Sequence, residues 1–243
     1  MAEVIAVLSG KGGTGKTSLC AGIATALALE GKQVLCIDCD VGLRNLDIAL
    51  GMSDLATISF LEVSRGDYAL DYATVHPVYR NLRFLTAPVN CQADSIDRFE
   101  FARMLDLART RFQYIFLDAP AGIEAGFRLA AGAADRVILV SNADPASIRD
   151  AGRSAEELER MGKPARLIVN RLRKKMFTTV SSTVDDIMDG AGLPLLGVVP
   201  EDENVVFAAA FGQPLLGYAE KGAAAACRRI ARRLQGKRIK VRI

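Results

Sequence analysis

Gly10-Lys11-Gly12-Gly13-Thr14-Gly15-Lys16-Thr17 matches the pattern G-x-x-x-x-G-K-[ST] at every fixed position. Glycines at this spacing let the backbone curl until successive N–H groups point at one place, and such a nest holds phosphate oxygens. The apolar run Val4–Leu8 reads as a strand before the motif, and a helix begins at about Lys16, which is the context the pattern needs. Lys16 is expected to reach the β- and γ-phosphates, and the Thr17 hydroxyl to bind Mg²⁺. Gly12, Gly13, Thr14, Gly15 and Ser18 complete the cradle. The implied ligand is a nucleoside triphosphate.

Carboxylates stand where such a ligand needs them. Val34-Leu35-Cys36-Ile37 reads as a strand that ends in Asp38-Cys39-Asp40, and Tyr114-Ile115-Phe116-Leu117 as one that ends in Asp118. Ligands of open α/β sheets gather at the carboxyl ends of strands, so these acids should face the phosphate loop. Acids beside a triphosphate repel it unless they serve Mg²⁺ or orient water. Asp118 is expected to hold the metal through water; a turn-forming role is the alternative for Asp38 and Asp40. These parts describe phosphoryl transfer to water by positioning and charge neutralisation. Two more strand ends, Leu167-Ile168-Val169-Asn170-Arg171 and Val198-Val199-Pro200-Glu201-Asp202, offer groups for a base. The Asn170 amide donates and accepts at once, although ordinary turn chemistry would also account for both.

The elements that must position these residues follow from short apolar runs with helical patterns between them. Strands are expected at Val4–Leu8, Val34–Ile37, Leu82–Leu85, Tyr114–Leu117, Val137–Val140, Leu167–Val169 and Leu196–Val199. Their near-continuous apolar character suits strands buried on both faces of a parallel sheet. Helices are expected at Ser18–Leu29, Ile96–Arg109, Pro145–Arg160, Thr179–Met188, Val205–Ala210 and Ala223–Leu234. The alternation predicts an α/β fold: a single doubly wound, mostly parallel sheet with helices on both faces. One domain over 1–235 and an appended tail at 236–243 are expected.

Composition agrees. The 243 residues are 50% hydrophobic but only 6% aromatic, with no tryptophan, which suits packed helices and strands and excludes a disordered chain. No apolar run approaches the ~18 residues of a membrane span, and Met1–Leu8 lacks the basic start of a secretory signal. Five cysteines at irregular spacing read as reduced thiols of a cytoplasmic protein. Cys36 and Cys39 have C-x-x-C spacing, but residues three apart in a strand point to opposite faces. His76, the only histidine, precedes Pro77 and is expected to be structural. Phe99, Phe101, Met104, Leu105 and Leu107 read as helix core or subunit surface, and Arg171–Lys175 as a solvated loop.

Charge is uneven. Lys221–Ile243 carries nine Lys or Arg and no acid, which leaves 22 basic and all 28 acidic residues for the rest, a net of −6. A mildly acidic body with a +9 end points to an anionic partner, membrane or nucleic acid. In Cys227–Leu234 one helical face is apolar, and its arginines are expected in water. Beyond Gly236, a free Lys237–Ile243 with Ile239, Val241 and Ile243 suits anionic lipid, where each cation contributes roughly 1 kcal/mol.

Lys11, a second lysine inside the phosphate loop, makes the motif more specific. A solvated surface lysine is the plain alternative, but Lys11-Gly12-Gly13-Thr14-Gly15-Lys16-Thr17 resembles the deviant Walker A box of the MinD/ParA family. Asp38–Asp47 resembles that family's first switch, and Asp118–Glu124 its second. The resemblance implies that Lys11 reaches the nucleotide of the opposite subunit in an ATP-sandwich homodimer. It further implies that Asp40 positions the attacking water, that Asp38 supports the metal shell, and that Asn45 lies on the dimer-facing part. Gly122 would set its N–H against the γ-phosphate, where a side chain would obstruct it. Asn170, Arg171, Pro200, Glu201 and Asp202 would hold the base, favouring ATP over GTP.

Asp144–Asp150 is similar to the helix start that carries the family's partner surface, although Gly152 stands where a second acid is often found. The implied function is spatial regulation of cell division by a slow ATPase on the inner membrane face. It would recruit a MinC-type inhibitor of FtsZ assembly and answer to a MinE-type or other regulator. The short tail, without Phe or Trp and with period two, departs from the family's amphipathic membrane helix. A DNA-partition ATPase, with its basic surface on DNA, and a flagellar-number regulator are the alternatives within the family.

Overall fold

The computed structural model describes residues 2–89, 91–173 and 183–241. Eight strands form one sheet: β1 (Glu3–Leu8), β2 (Val34–Asp38), β3 (Thr74–Val75), β4 (Leu82–Leu85), β5 (Tyr114–Asp118), β6 (Arg136–Asn142), β7 (Ala165–Leu172) and β8 (Leu195–Pro200). Their order is β3-β4-β2-β5-β1-β6-β7-β8. Every pairing is parallel except that of β3 with β4. The expected doubly wound sheet is therefore present, and all seven predicted strands are in it. β3 was not foreseen; two residues carry too little pattern to be read.

Ten helices are described: α1 (Lys16–Leu29), α2 (Leu46–Leu50), α3 (Phe60–Arg65), α4 (Arg98–Arg109), α5 (Ala125–Ala133), α6 (Pro145–Arg160), α7 (Val184–Ala191), α8 (Asn204–Ala210), α9 (Leu215–Tyr218) and α10 (Gly222–Leu234). Alternation along the strands divides the core in two. Val4, Ala6, Leu8, Leu35, Ile37, Ile115 and Leu117 meet Phe60, Phe101, Met104, Phe127, Leu158 and Ile187 on one side. Ile5, Val7, Cys36, Phe84 and Phe116 meet Leu19, Ile23, Leu46, Leu215 and Ile230 on the other. Cys36 and Cys39 fall in opposite layers, so the C-x-x-C spacing forms no site.

Helix starts follow local capping. Asp144 accepts from the Ser147 N–H at 3.0 Å, with Pro145 in the first turn, so α6 begins where its sequence indicates. The expected start of α4 at Ile96 shifts to Arg98. Asp97 caps it by accepting from the Phe99 and Glu100 N–H groups at 2.8 and 3.1 Å, while 93–95 form a 3₁₀ turn. Within α4, Phe101, Met104 and Leu105 are buried, whereas Phe99 is 88% exposed and Leu107 stands at the surface. The predicted helix Thr179–Met188 is described from Val184, after a Thr183–Asp186 capping box; its first residues lie outside the described ones.

His76 is structural, as expected. It is buried, its Nε2 lies 2.9 Å from the Leu50 carbonyl, and Nδ1 faces the Val78 and Tyr79 N–H groups at 3.1 Å. Those partners place the proton on Nε2, and burial holds the ring's pKa below its ordinary value.

Candidate nucleotide site

β1 delivers the chain to the phosphate loop at its carboxyl end. Gly15, at φ +87°, turns it into α1 without a side-chain cap, which leaves the helix N-terminus open to an anion. A Cβ at Gly15 would run into the Asn170 amide nitrogen, which itself donates to the Thr14 carbonyl at 2.7 Å. Gly15→Ala is therefore expected to cost roughly tenfold or more in nucleotide affinity, because the left-handed backbone and the Asn170 brace fail together. Titration with fluorescent ADP measures it.

Gly12 to Ser18 line a cleft of about 380 Å³, together with Asp40, Asn45, Arg171 and the apolar Leu43, Val205, Ala208 and Leu215. A second cleft of about 600 Å³ shares Gly15, Ser18, Arg171, Val205 and Leu215 with it, and adds Asn170, Pro200, Glu201 and Asp202. The two form one trough, with the loop at one part and the predicted base segment at the other. Arg171 stands at the join with φ +52°, a strained setting for a long side chain. It belongs to β7 rather than to the predicted loop, which would start only after Leu172; Lys174 and Lys175 lie outside the described residues.

The acids gather at adjoining strand ends. Asp38 and Asp118 are register partners on β2 and β5, and both are buried. Burial pushes Asp118 up to about 7 against the pull of Lys16 and Thr17. It pushes Asp38 up to about 6, although Asp38 accepts from the Asp40 and Leu46 N–H groups at 2.9 and 3.1 Å. Asp118 Oδ1 and Thr14 Oγ1 are buried without a hydrogen-bond partner among the described residues. A buried carboxylate oxygen with no donor, beside Lys16 and Thr17, suits a hydrated Mg²⁺ held with phosphate oxygens. Asp38 gives one oxygen each to the Asp40 and Leu46 N–H groups, which fastens the first switch to the start of α2.

Four predicted residues have partners that sequence did not foresee. Asp40 Oδ1 accepts from the Gly42 and Leu43 N–H groups, both at 3.2 Å, so the carboxylate shapes the switch turn while it faces the cleft. The Gly122 N–H donates to the Ser9 carbonyl at 3.0 Å. Open space surrounds its missing Cβ, so glycine answers there to φ +93° and not to crowding. Asp202 accepts from Asn204 N–H and Ala223 N–H at 3.0 and 2.8 Å, a bracket between α8 and α10, and Glu201 pairs with Arg173. The Asn170 amide already gives one N–H to the Thr14 carbonyl, which leaves its Oδ1 and second N–H for a base.

Lys11 does not line the cleft of its own chain. Its ammonium lies 3.8 Å from Asp144 at the start of α6, and both side chains are half-exposed. Sequence gave no sign of this pairing. It also missed α8 as a wall of the trough, although the run Val205-Val206-Phe207 directly after the base segment was its available signal.

Comparison with known proteins agrees with this geometry. Residues 5–215 match the CobQ/CobB/MinD/ParA nucleotide binding domain. The chain belongs to the MinD/ParA family. It is 38% identical to the septum site-determining protein MinD of Synechocystis, over 98% of this chain and 91% of that one. Its fold superimposes on the MinC:MinD cell division protein complex of Aquifex aeolicus with a TM-score of 0.91 and 36% identity, covering 100% of this chain and 99% of that one. MinD of Pyrococcus horikoshii, solved with Mg-ADP, gives a TM-score of 0.82 at 27% identity, over 96% of each chain. As a family member the chain carries a nucleotide-binding domain.

Proposed function

We propose that this chain is an ATP-driven dimerising switch that places the division site from the inner face of the membrane. The observation that carries the reading is Lys11: a loop lysine that does not line its own cleft and, among the described residues, is held only by an exposed pair with Asp144. Such a pair is worth less than about 1 kcal/mol, so Lys11 is available to a nucleotide presented by a facing subunit. Leu43 and Val206, which line the trough, are 72% and 67% exposed, an apolar rim that a second copy would cover.

In hydrolysis, Lys16 and the loop N–H groups bind and orient the triphosphate. Thr17 and, through water, Asp118 would hold Mg²⁺, which would supply neutralisation of the phosphate charge. Asp40, in reach of the cleft, orients the attacking water. Gly122 must release Ser9 before its N–H can serve a phosphate, which suits a slow switch that a partner accelerates. Asp40→Asn keeps the acceptor that Gly42 and Leu43 require. It is expected to retain ATP and the dimer while phosphate release falls about 100-fold; unchanged release would remove Asp40 from the mechanism.

Membrane residence belongs to residues 236–243. α10 ends at Leu234, Gly236 turns the chain at φ +79°, and Lys237–Val241 carry neither helix nor strand. No described helix is long and apolar enough to cross a membrane. Two tails on one ATP dimer bind anionic lipid far better than one, by avidity. The dimer would then recruit a MinC-type division inhibitor and leave when a MinE-type regulator stimulates hydrolysis.

A further inference from the structure

The tail does not hang free over its described length. Lys237 Nζ lies 3.2 Å from Glu30 at the end of α1, and the Ile239 carbonyl accepts from Arg233 Nε at 2.9 Å. The arginines of α10 are accordingly not all in water, as sequence suggested. Arg232 pairs with Glu30, and Arg233 Nη1 donates to the Leu196 carbonyl at 2.6 Å. Between the tail and the starts of β7 and β8 lies a cavity of about 630 Å³ lined by Arg166, Arg233, Lys237, Arg238 and Lys240, with no carboxylate in its described lining.

Arg233 is the informative residue. Its two bonds to backbone carbonyls fix the guanidinium plane, yet Nη2 is buried with no partner among the described residues. Burial, with Arg229 and Arg166 close by, holds its pKa below the ordinary value, so negative charge is scarce around it. Arg166 is pinned in the same way, donating through Nη2 to the Leu195 carbonyl at 2.9 Å. Two oriented guanidinium groups facing one cavity match an oxyanion with several acceptor oxygens. The place is distinct from the nucleotide trough. Arg166 and Leu195 open their strands, whereas Asn170 and Pro200 lie near the opposite ends of those strands.

We propose that this cavity binds an oxyanion of the phosphate class, with Arg233 and Arg166 as its anchors and the docked tail as one wall. The anion comes from a lipid headgroup or from free phosphate; the headgroup source rests on the membrane reading above, and the free source does not. The test uses the full chain saturated with Mg-ADP, so that the phosphate loop is occupied. Inorganic phosphate is titrated by calorimetry, and in parallel the ATP-bound chain is sedimented with vesicles of 30% phosphatidylglycerol in phosphatidylcholine. Arg166→Gln and Arg233→Lys are compared with Arg228→Gln, whose guanidinium bonds the Glu220 carbonyl outside the cavity. Arg166→Gln leaves the Arg233–Ile239 contact in place, so it stands if Arg233→Lys releases the tail.

The expected result is a loss of about tenfold or more in one or both assays for Arg166→Gln and Arg233→Lys, with Arg228→Gln close to wild type. Loss in calorimetry alone assigns free phosphate, and loss with vesicles alone assigns the headgroup. Vesicle binding that survives both cavity variants, with no phosphate heat in the wild type, overturns the cavity while sparing the membrane reading. Equal losses in all three variants would mean diffuse surface charge and overturn it too.

Discussion

Lys11→Ala is expected to leave ATP bound to the monomer and to abolish the ATP dimer. Lys16, the loop N–H groups and the α1 N-terminus remain to hold the nucleotide, because Lys11 takes no part in lining that cleft. What is expected to disappear is the contact of this cation with a facing subunit's nucleotide. The loss of its surface pair with Asp144 removes little folding stability, so the melting temperature should hardly move. Light scattering in ATP should report a dimer for the wild type and a monomer for the variant. A variant that still dimerises would remove the cross-subunit role.

Asp118→Asn is expected to stabilise the nucleotide-free protein at neutral and alkaline pH while crippling its use of Mg²⁺. The Asp118 pKa is raised from 3.8 to about 7 by burial, opposed by Lys16 and Thr17 and raised further by Asp38. Between those two values the unfolded chain is ionised there and the folded one still protonated. Stability is therefore fully present below about pH 4, falls as pH rises, and is lost above about pH 7. The shift corresponds to about 4 kcal/mol at most, and Asp38, raised to about 6, adds in the same direction. The gap in melting temperature between Asp118→Asn and wild type should widen from pH 5 to pH 8, reaching several degrees without nucleotide. Saturating Mg-ATP should stabilise the wild type far more than the variant. A gap constant with pH would show that Asp118 is ionised throughout.

Sequence read best where pattern and chemistry coincide. Strands buried on both faces announce themselves as apolar runs, and Gly10–Thr17 carries its own mechanism. α2, α3 and α9, of five, six and four residues, were missed because they are too short for a helical stripe. α5, Ala125-Gly-Phe-Arg-Leu-Ala-Ala-Gly-Ala, is so rich in alanine and glycine that its polar face is a single arginine. Within the site, residue types gave position but not partners. Asp40 turned out to shape a turn, Asp202 to bracket two helices, and Gly122 to serve Ser9. The first is a local turn that leaves no periodic trace, and the other two are tertiary hydrogen bonds between segments far apart in the chain. The same holds for the tail, whose charge was evident but whose docking on β8 through Arg233 was not.

The central claim is that nucleotide state, read through dimerisation, decides membrane residence. Co-sedimentation with anionic vesicles tests it most directly, in ATP and in ADP, for the full chain, for residues 1–236 and for Lys11→Ala. Binding by the full chain in ATP, lower by roughly 100-fold in ADP, without the tail and in Lys11→Ala, is the predicted result. Absence of vesicle binding in both nucleotides, with duplex DNA retained by the ATP form instead, would contradict it and assign the basic end to nucleic acid.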